Sequence, residues 1–174
     1  MSNESLSPNS LALIALANEY CQAVEQCLDV ERMEFVNHLL KVLPRLYITV
    51  TDADVDTEFV TEGIDASLDE ATYDQVRSTI AGVMAADDVY LETQLEDMKY
   101  SDTPIATTMS ENLADIYQVM YDFVAAVRNM PTDVQTALIA AFKASFIDYW
   151  GQTLCNVVRA LHSLRYAAGD ETWN

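Results

Sequence analysis

Glycine and proline are scarce, four of each in 174 residues. That removes most of the turn punctuation an all-β fold needs. Cysteine is scarcer: Cys21, Cys27 and Cys155 are odd in number and show no Cys-x-x-Cys spacing. This argues against a disulfide framework or a zinc site and fits a reducing cytoplasm. Only His38 and His162 supply imidazole, and neither follows a Glu by three residues. The Glu-x-x-His pairs of a di-iron carboxylate bundle are therefore missing. No Lys or Arg precedes the first apolar run, which Asn18 and Glu19 interrupt, so a signal peptide and a membrane span are both disfavoured.

Positive charge is the other shortage. Nine Lys and Arg face 28 Asp and Glu, a net charge of −19. Such a surface repels nucleic-acid phosphates and anionic lipid. It leaves open a basic protein partner, cations, or solubility alone. The acidity is local: residues 52–102 carry 15 acids against Arg77 and Lys99, whereas residues 133–168 carry two acids and three bases.

What remains is globular in composition, with 51% hydrophobic residues in a length suited to one domain spanning residues 1–174. A first helix is expected from Ser7 or Ser10, with Pro8 in its first turn and Ile14, Ala17, Cys21, Val24 and Leu28 along its apolar stripe. Asp29 is a candidate cap for a second helix with the stripe Met33, Val36, Leu40, Leu43 and Tyr47, joined to the first by a one- or two-residue turn. Pro44 should kink or end its regular part. An acidic loop is expected over residues 51–65. Ser67-Leu-Asp-Glu70 and Thr108-Met-Ser-Glu111 read as capping boxes that open two further helices. The first of these buries Tyr73, Val76, Ile80, Val83 and Met84; the second buries Leu113, Ile116 or Tyr117, Met120, Val124 and Val127. Residues 87–107 read as irregular or short pieces.

The last helix, from about Pro131 to Arg165, carries two stripes. Val134, Leu138, Phe142, Phe146, Trp150, Val157, Leu161 and Leu164 are mostly bulky. Ala137, Ala141, Ala144, Asp148, Gly151, Cys155, Val158 and His162 are mostly small. So wide an apolar arc suits a central helix. The expectation is an all-α bundle of five or six helices with a long, central C-terminal helix.

Several motifs come close to a chemistry. Asp52, Asp54 and Asp56 match the first ligands of a calcium loop, but Thr57 stands where Gly belongs and Gly63 where the bidentate Glu belongs. Glu31/Glu34 and Glu62/Asp65 spell the magnesium-binding pairs of all-α nucleotide pyrophosphohydrolases, although the second pair falls outside a helix. Cys21 and His38 sit level across the first hairpin, yet on different faces, one apolar and one polar. Asp148 and His162 interrupt the small stripe. Asp148 reads as a buried carboxylate bonded to a Tyr, Trp or Arg, as an exposed residue, or as a ligand. His162 suits the negative end of the helix dipole.

Asp87-Asp-Val-Tyr-Leu-Glu92, Asn112-Leu-Ala-Asp-Ile-Tyr117, and Tyr149-Trp-Gly151 with Val158-Arg-Ala-Leu-His162 resemble an uncharacterised all-helical bacterial domain family of unknown function. The resemblance implies coverage of nearly the whole chain and brings no activity or cofactor. It directs attention to Asp87, Asp88, Tyr90, Asp115, Tyr117, Trp150 and His162, each of which has a structural reading as helix anchor or satisfied acceptor. The functional expectation is a non-enzymatic interaction or scaffold domain meeting a basic partner through residues 52–102, in its narrower form a nucleic-acid mimic. The alternative is a divalent-metal enzyme holding its cation with Asp87, Asp88, Glu92 and Asp115. No direct nucleic-acid or membrane contact is expected, and the oligomeric state is open.

Overall fold

The computed structural model describes residues 5–92, 100 and 103–167. Helices α1 (Pro8–Glu25) and α2 (Arg32–Thr51) form the first hairpin, and α3 (Glu70–Met84) follows an 18-residue loop. A short 3-10 turn, Ala85–Asp87, leads into strand β1 (Val89–Glu92), which pairs antiparallel with β2 (Ile105–Thr108). Helix α4 (Met109–Val127) then precedes α5 (Thr132–Ser145), a π-helical turn (Phe146–Trp150) and α6 (Gly151–Ala167). The last three run on as one helix of 36 residues, about 54 Å at 1.5 Å per residue.

Local chemistry explains most helix starts. Ser7 caps α1 by accepting the Ser10 N–H at 3.1 Å, and Pro8 takes the first-turn position, where no N–H is needed. Thr108 caps α4 by accepting the Glu111 N–H at 3.2 Å. Two expected starts move. The α3 cap is Asp69, which accepts the Thr72 N–H at 2.9 Å, rather than Ser67. The α2 cap is Glu31, without a side-chain bond, rather than Asp29, because residues 26–31 form a longer joint than the one or two residues expected. Leu28 falls in that joint and is 72% exposed. Helix α2 also continues through Pro44 to Thr51.

One continuous core contains Leu13, Tyr20, Phe35, Leu43, Ile80, Leu113, Phe123 and Trp150, drawn from all the helices of the hairpin, α3, α4 and the long helix. Helix α4 packs against α1, α3, α5 and α6, while α6 also lies along α2. With a neighbour on two sides, α2 buries Phe35, Val36, Leu39, Val42, Leu43, Leu46 and Val50, a band that keeps Val36 and Leu43 of the expected stripe and widens it to one side. Tyr47, on that stripe, is 40% exposed.

The π turn reorganises the long helix. Buried positions step by four through Phe142, Phe146, Trp150 and Leu154, as the wider turn of a π segment requires. A Cβ at Gly151 would lie 2.7 Å from the Phe146 carbonyl oxygen and 2.8 Å from its ring, so the turn closes only because this residue has no side chain. Asp148 lies between two of the buried steps and faces solvent. The small stripe expected to carry it is not continuous: Ala141 and Gly151 are buried, whereas Ala137, Cys155 and His162 are exposed.

Candidate functional site

The sequence candidates divide into three places. At the corner between α3 and α4, Asp88 is 8% exposed. Its carboxylate accepts the Ser110 N–H and the Ser110 hydroxyl, each at 2.7 Å, while its carbonyl accepts the Met109 N–H at 2.8 Å. It holds the amino end of α4, where N–H groups lack helical partners and the dipole favours an anion. Asp87 beside it is exposed and pairs with Arg32. Tyr90 accepts a hydrogen bond from Asn112, and Glu92 accepts one from Asn156 of α6. Burial raises the Tyr90 pKa, with the Glu92 charge adding to it, so its phenol stays protonated.

On the outer side of α4, Asp115 accepts the Tyr73 hydroxyl at 2.6 Å and the Tyr149 hydroxyl at 3.0 Å. Burial and then the Asp115 charge push the Tyr149 pKa up to about 12, and the Tyr73 pKa rises by burial and its bond to Asp115. Both phenols therefore act as donors that tie α3 and the π turn to α4. This arrangement fastens helices together.

The remaining candidates serve packing or stand in solvent. Tyr117 is buried and donates to Glu25 at 2.9 Å. Trp150 is fully buried, its indole N–H 3.4 Å from the Phe142 carbonyl and its ring against Phe142 and Phe146. His162 is exposed, 4.7 Å ring to ring from Tyr166. Asp115 and Asp148 do not share a pocket: the neighbour Tyr149 reaches Asp115, and Asp148 points outward.

The metal arrangements are not assembled. Asp87, Asp88, Glu92 and Asp115 each hold a different partner, as described above. Among the described residues no group of three or more His, Cys, Asp or Glu is placed to hold a metal ion. Glu31 and Glu34 open α2, while Glu62 and Asp65 lie in a loop. Asp56 turns back to accept the Glu58 N–H at 2.8 Å. Cys21 is buried, its thiol pushed up to about 12 chiefly by burial, whereas His38 sits on the surface 3.4 Å from Glu19. They form no nucleophile–base pair.

Two features escaped the sequence reading. The first is Asp122, buried on α4, which accepts the Ser67 and Leu68 N–H groups at 2.7 and 2.9 Å. At the other end of the same loop, Lys143 donates to the carbonyls of Ala53 at 2.7 Å and Thr51 at 3.2 Å. Residues 52–69 are thus pinned at both ends, with Ala53 and Leu68 buried. Asp52, Asp54, Asp56, Glu58, Glu62 and Asp65 all face solvent, and Phe59 at the turn is 78% exposed. The second is a cleft of about 500 Å³ between β1 and α6, with Tyr90, Glu92, Asn156, Arg159 and Ser163 in its walls. Nothing local in sequence links these two, since the loop's anchors and the cleft's far wall come from distant helices.

The family described as domain of unknown function DUF5063 matches residues 4–167. The chain belongs to this family. The fold is shared with the crystal structure of protein BF1032 from Bacteroides fragilis, a structural genomics target. That protein is 28% identical, with a TM-score of 0.79 over 97% of this chain and 98% of the other. None of the curated proteins matches. The resemblance expected from residues 87–92, 112–117 and 149–162 therefore leads to a real family, and like the resemblance it carries no activity. Among the described residues, no helix is long and apolar enough to cross a membrane.

Proposed function

We propose that this domain is a protein-interaction module whose acidic loop, residues 52–69, receives a basic segment of a partner protein. The observation that carries the reading is Phe59, 78% exposed on the turn of a loop pinned at both ends. Six exposed carboxylates flank it, and no Lys or Arg occurs from Leu46 to Val76. An aromatic side chain held in solvent supplies contact area with little ordering cost on binding. The surrounding charge attracts a basic segment and sets its rate of encounter. Asp69 and Glu70, also exposed, continue the acidic run into the start of α3. The middle segment is recognition surface only where it is exposed; Asp88 is spent on the fold.

The test separates recognition from bulk charge attraction. A labelled peptide alternating Lys or Arg with apolar residues is titrated onto the protein, onto Phe59→Ser and onto Asp54→Asn/Asp56→Asn/Glu58→Gln. Phe59→Ser should weaken binding by about tenfold with an unchanged salt slope, as for loss of a contact anchor. The neutralised loop should bind weakly and lose most of its salt dependence. Equal binding by wild type and Phe59→Ser would reduce the interaction to non-specific charge and overturn the reading.

A further inference from the structure

Among the described residues, no third strand pairs with the ribbon formed by β1 and β2, and its alternation shows which groups the β1 edge presents. Val89 pairs with Thr108, Tyr90 with Thr107, Leu91 with Ala106 and Glu92 with Ile105. The Met109 N–H donates to the Asp88 carbonyl, which makes Asp88·Met109 the first hydrogen-bonded pair of the ladder. Bonded and non-bonded pairs alternate in an antiparallel ladder. The N–H and C=O groups of Val89 and Leu91 therefore point away from β2. Among the described residues, no backbone bond engages either residue on that side.

The cleft runs along that edge. Each residue of β1 contributes to its wall and none of β2 does, while the opposite wall is α6. Tyr90 and Glu92 turn inward to Asn112 and Asn156. Val89 and Leu91 turn outward, 62% and 60% exposed. The inward side chains are already engaged: Tyr90 with Asn112, Glu92 with Asn156, and Arg159 with a partner of its own. Among the described residues, the outward main-chain groups of Val89 and Leu91 have no backbone partner. Main-chain groups at a strand edge match an extended peptide better than they match a compact small molecule.

We infer that β1 and the cleft beside it form a docking site for an extended, basic peptide segment of a partner, which adds to the ribbon as a third strand. Charge decides the occupant. A second copy of this chain would bring another net charge of −19 against the first, whereas the same overall charge draws in a basic segment. A segment alternating apolar residues with Lys or Arg sets its apolar side chains beside Val89 and Leu91 and a cation toward Glu92. This surface is distinct from the acidic loop. Asp88 ties β1 to Ser110 at one end of α4, and Asp122 ties the loop to the other, about 18 Å away at 1.5 Å per residue. The two sites can fail separately.

The experiment is residue-resolved amide exchange of the full chain with and without a short peptide alternating Val with Lys and Arg, alongside its Glu-containing counterpart. Val89 and Leu91 amides should exchange fast in the free protein and slow by about tenfold or more when the basic peptide is bound. Leu91→Pro removes an outward N–H at a position where an edge strand tolerates proline, and Leu91→Lys places a like charge beside the peptide. Both should weaken binding by about tenfold while Leu91→Lys keeps the wild-type unfolding midpoint. Binding that slows only loop amides and is indifferent to both variants overturns this site and leaves the loop reading standing. Failure of the peptide to bind at all overturns both. Protection of Val89 and Leu91 that appears on raising protein concentration alone assigns the edge to a second copy and overturns the inference.

Discussion

The carboxylates of this chain serve two opposite purposes, and the contrast lies between the α4 framework and the loop before α3. Asp88 and Asp122, both 8% exposed, turn their oxygens onto backbone N–H groups. Asp54, Asp56 and Glu58 of the loop stand in solvent. The first kind replaces lost hydration by fixed donors, so its removal leaves buried N–H groups without partners. The second kind gives up little hydration and contributes little to the fold. A high acidic content is thus not one property: part of it holds the chain together, and the rest decorates it.

The largest break in that contrast should come from Asp88→Ala. It strands the Ser110 N–H at a buried helix start, leaves the Ser110 hydroxyl only the Thr108 oxygen at 3.2 Å, and should cost about 3 kcal/mol in denaturant unfolding, since hydrogen bonds to charged groups are the strong ones. A cost below about 1 kcal/mol would mean that the corner rearranges and that Asp88 is no different from a loop acid. Asp122→Ala should cost about 2 kcal/mol, with a sign that Asp88→Ala lacks: limited proteolysis within residues 52–69, whose far end Asp122 pins. Smaller again, the triple variant Asp54→Asn/Asp56→Asn/Glu58→Gln should change stability by less than about 0.5 kcal/mol. A larger loss would place those side chains in the framework after all.

The smallest effect sharpens the boundary between the two kinds. Asp69 is exposed, yet the Thr72 N–H and then the Thr72 hydroxyl hold its pKa below the usual carboxylate value. A carboxyl lowered in the folded state stabilises above its unfolded pKa, and that contribution is lost as pH falls through the folded value. Exchange of the Thr72 amide, corrected for intrinsic rate, should therefore speed up on acidification. In Asp69→Ala it should already be fast at neutral pH and show no such acid step.

Much of the helical frame was legible from the residues. Ser7 with Pro8 and Thr108 with Glu111 announced two helix starts because capping is local, and the spacing of Ile80, Met84, Leu113 and Met120 announced which faces would be buried. The β ribbon was not legible. Val89, Tyr90 and Leu91 favour strands, but their pairing with Ile105–Thr108 joins residues more than a dozen positions apart, which local propensity does not specify. The choice among the three readings of Asp148, which the structure places in solvent, was not legible for a related reason. Helical periodicity assumes one residue count per turn, and the π segment over Phe146–Trp150 changes that count. Gly151, which permits the wider turn, looks in sequence like any small residue on a packing stripe.

The sequence by itself determined a helical chain with an acidic middle, because composition, spacing and caps act over a few residues. It also determined that the last helix would be long, since nothing between Thr132 and Ala167 breaks it. Only the tertiary structure decided which acids are structural. Asp88 and Asp122 acquire their roles from Ser110 and Ser67, which lie 22 and 55 residues away along the chain. Whether a carboxylate is a cap or a recognition element depends on whether backbone donors are brought to it, and that is settled by packing between helices.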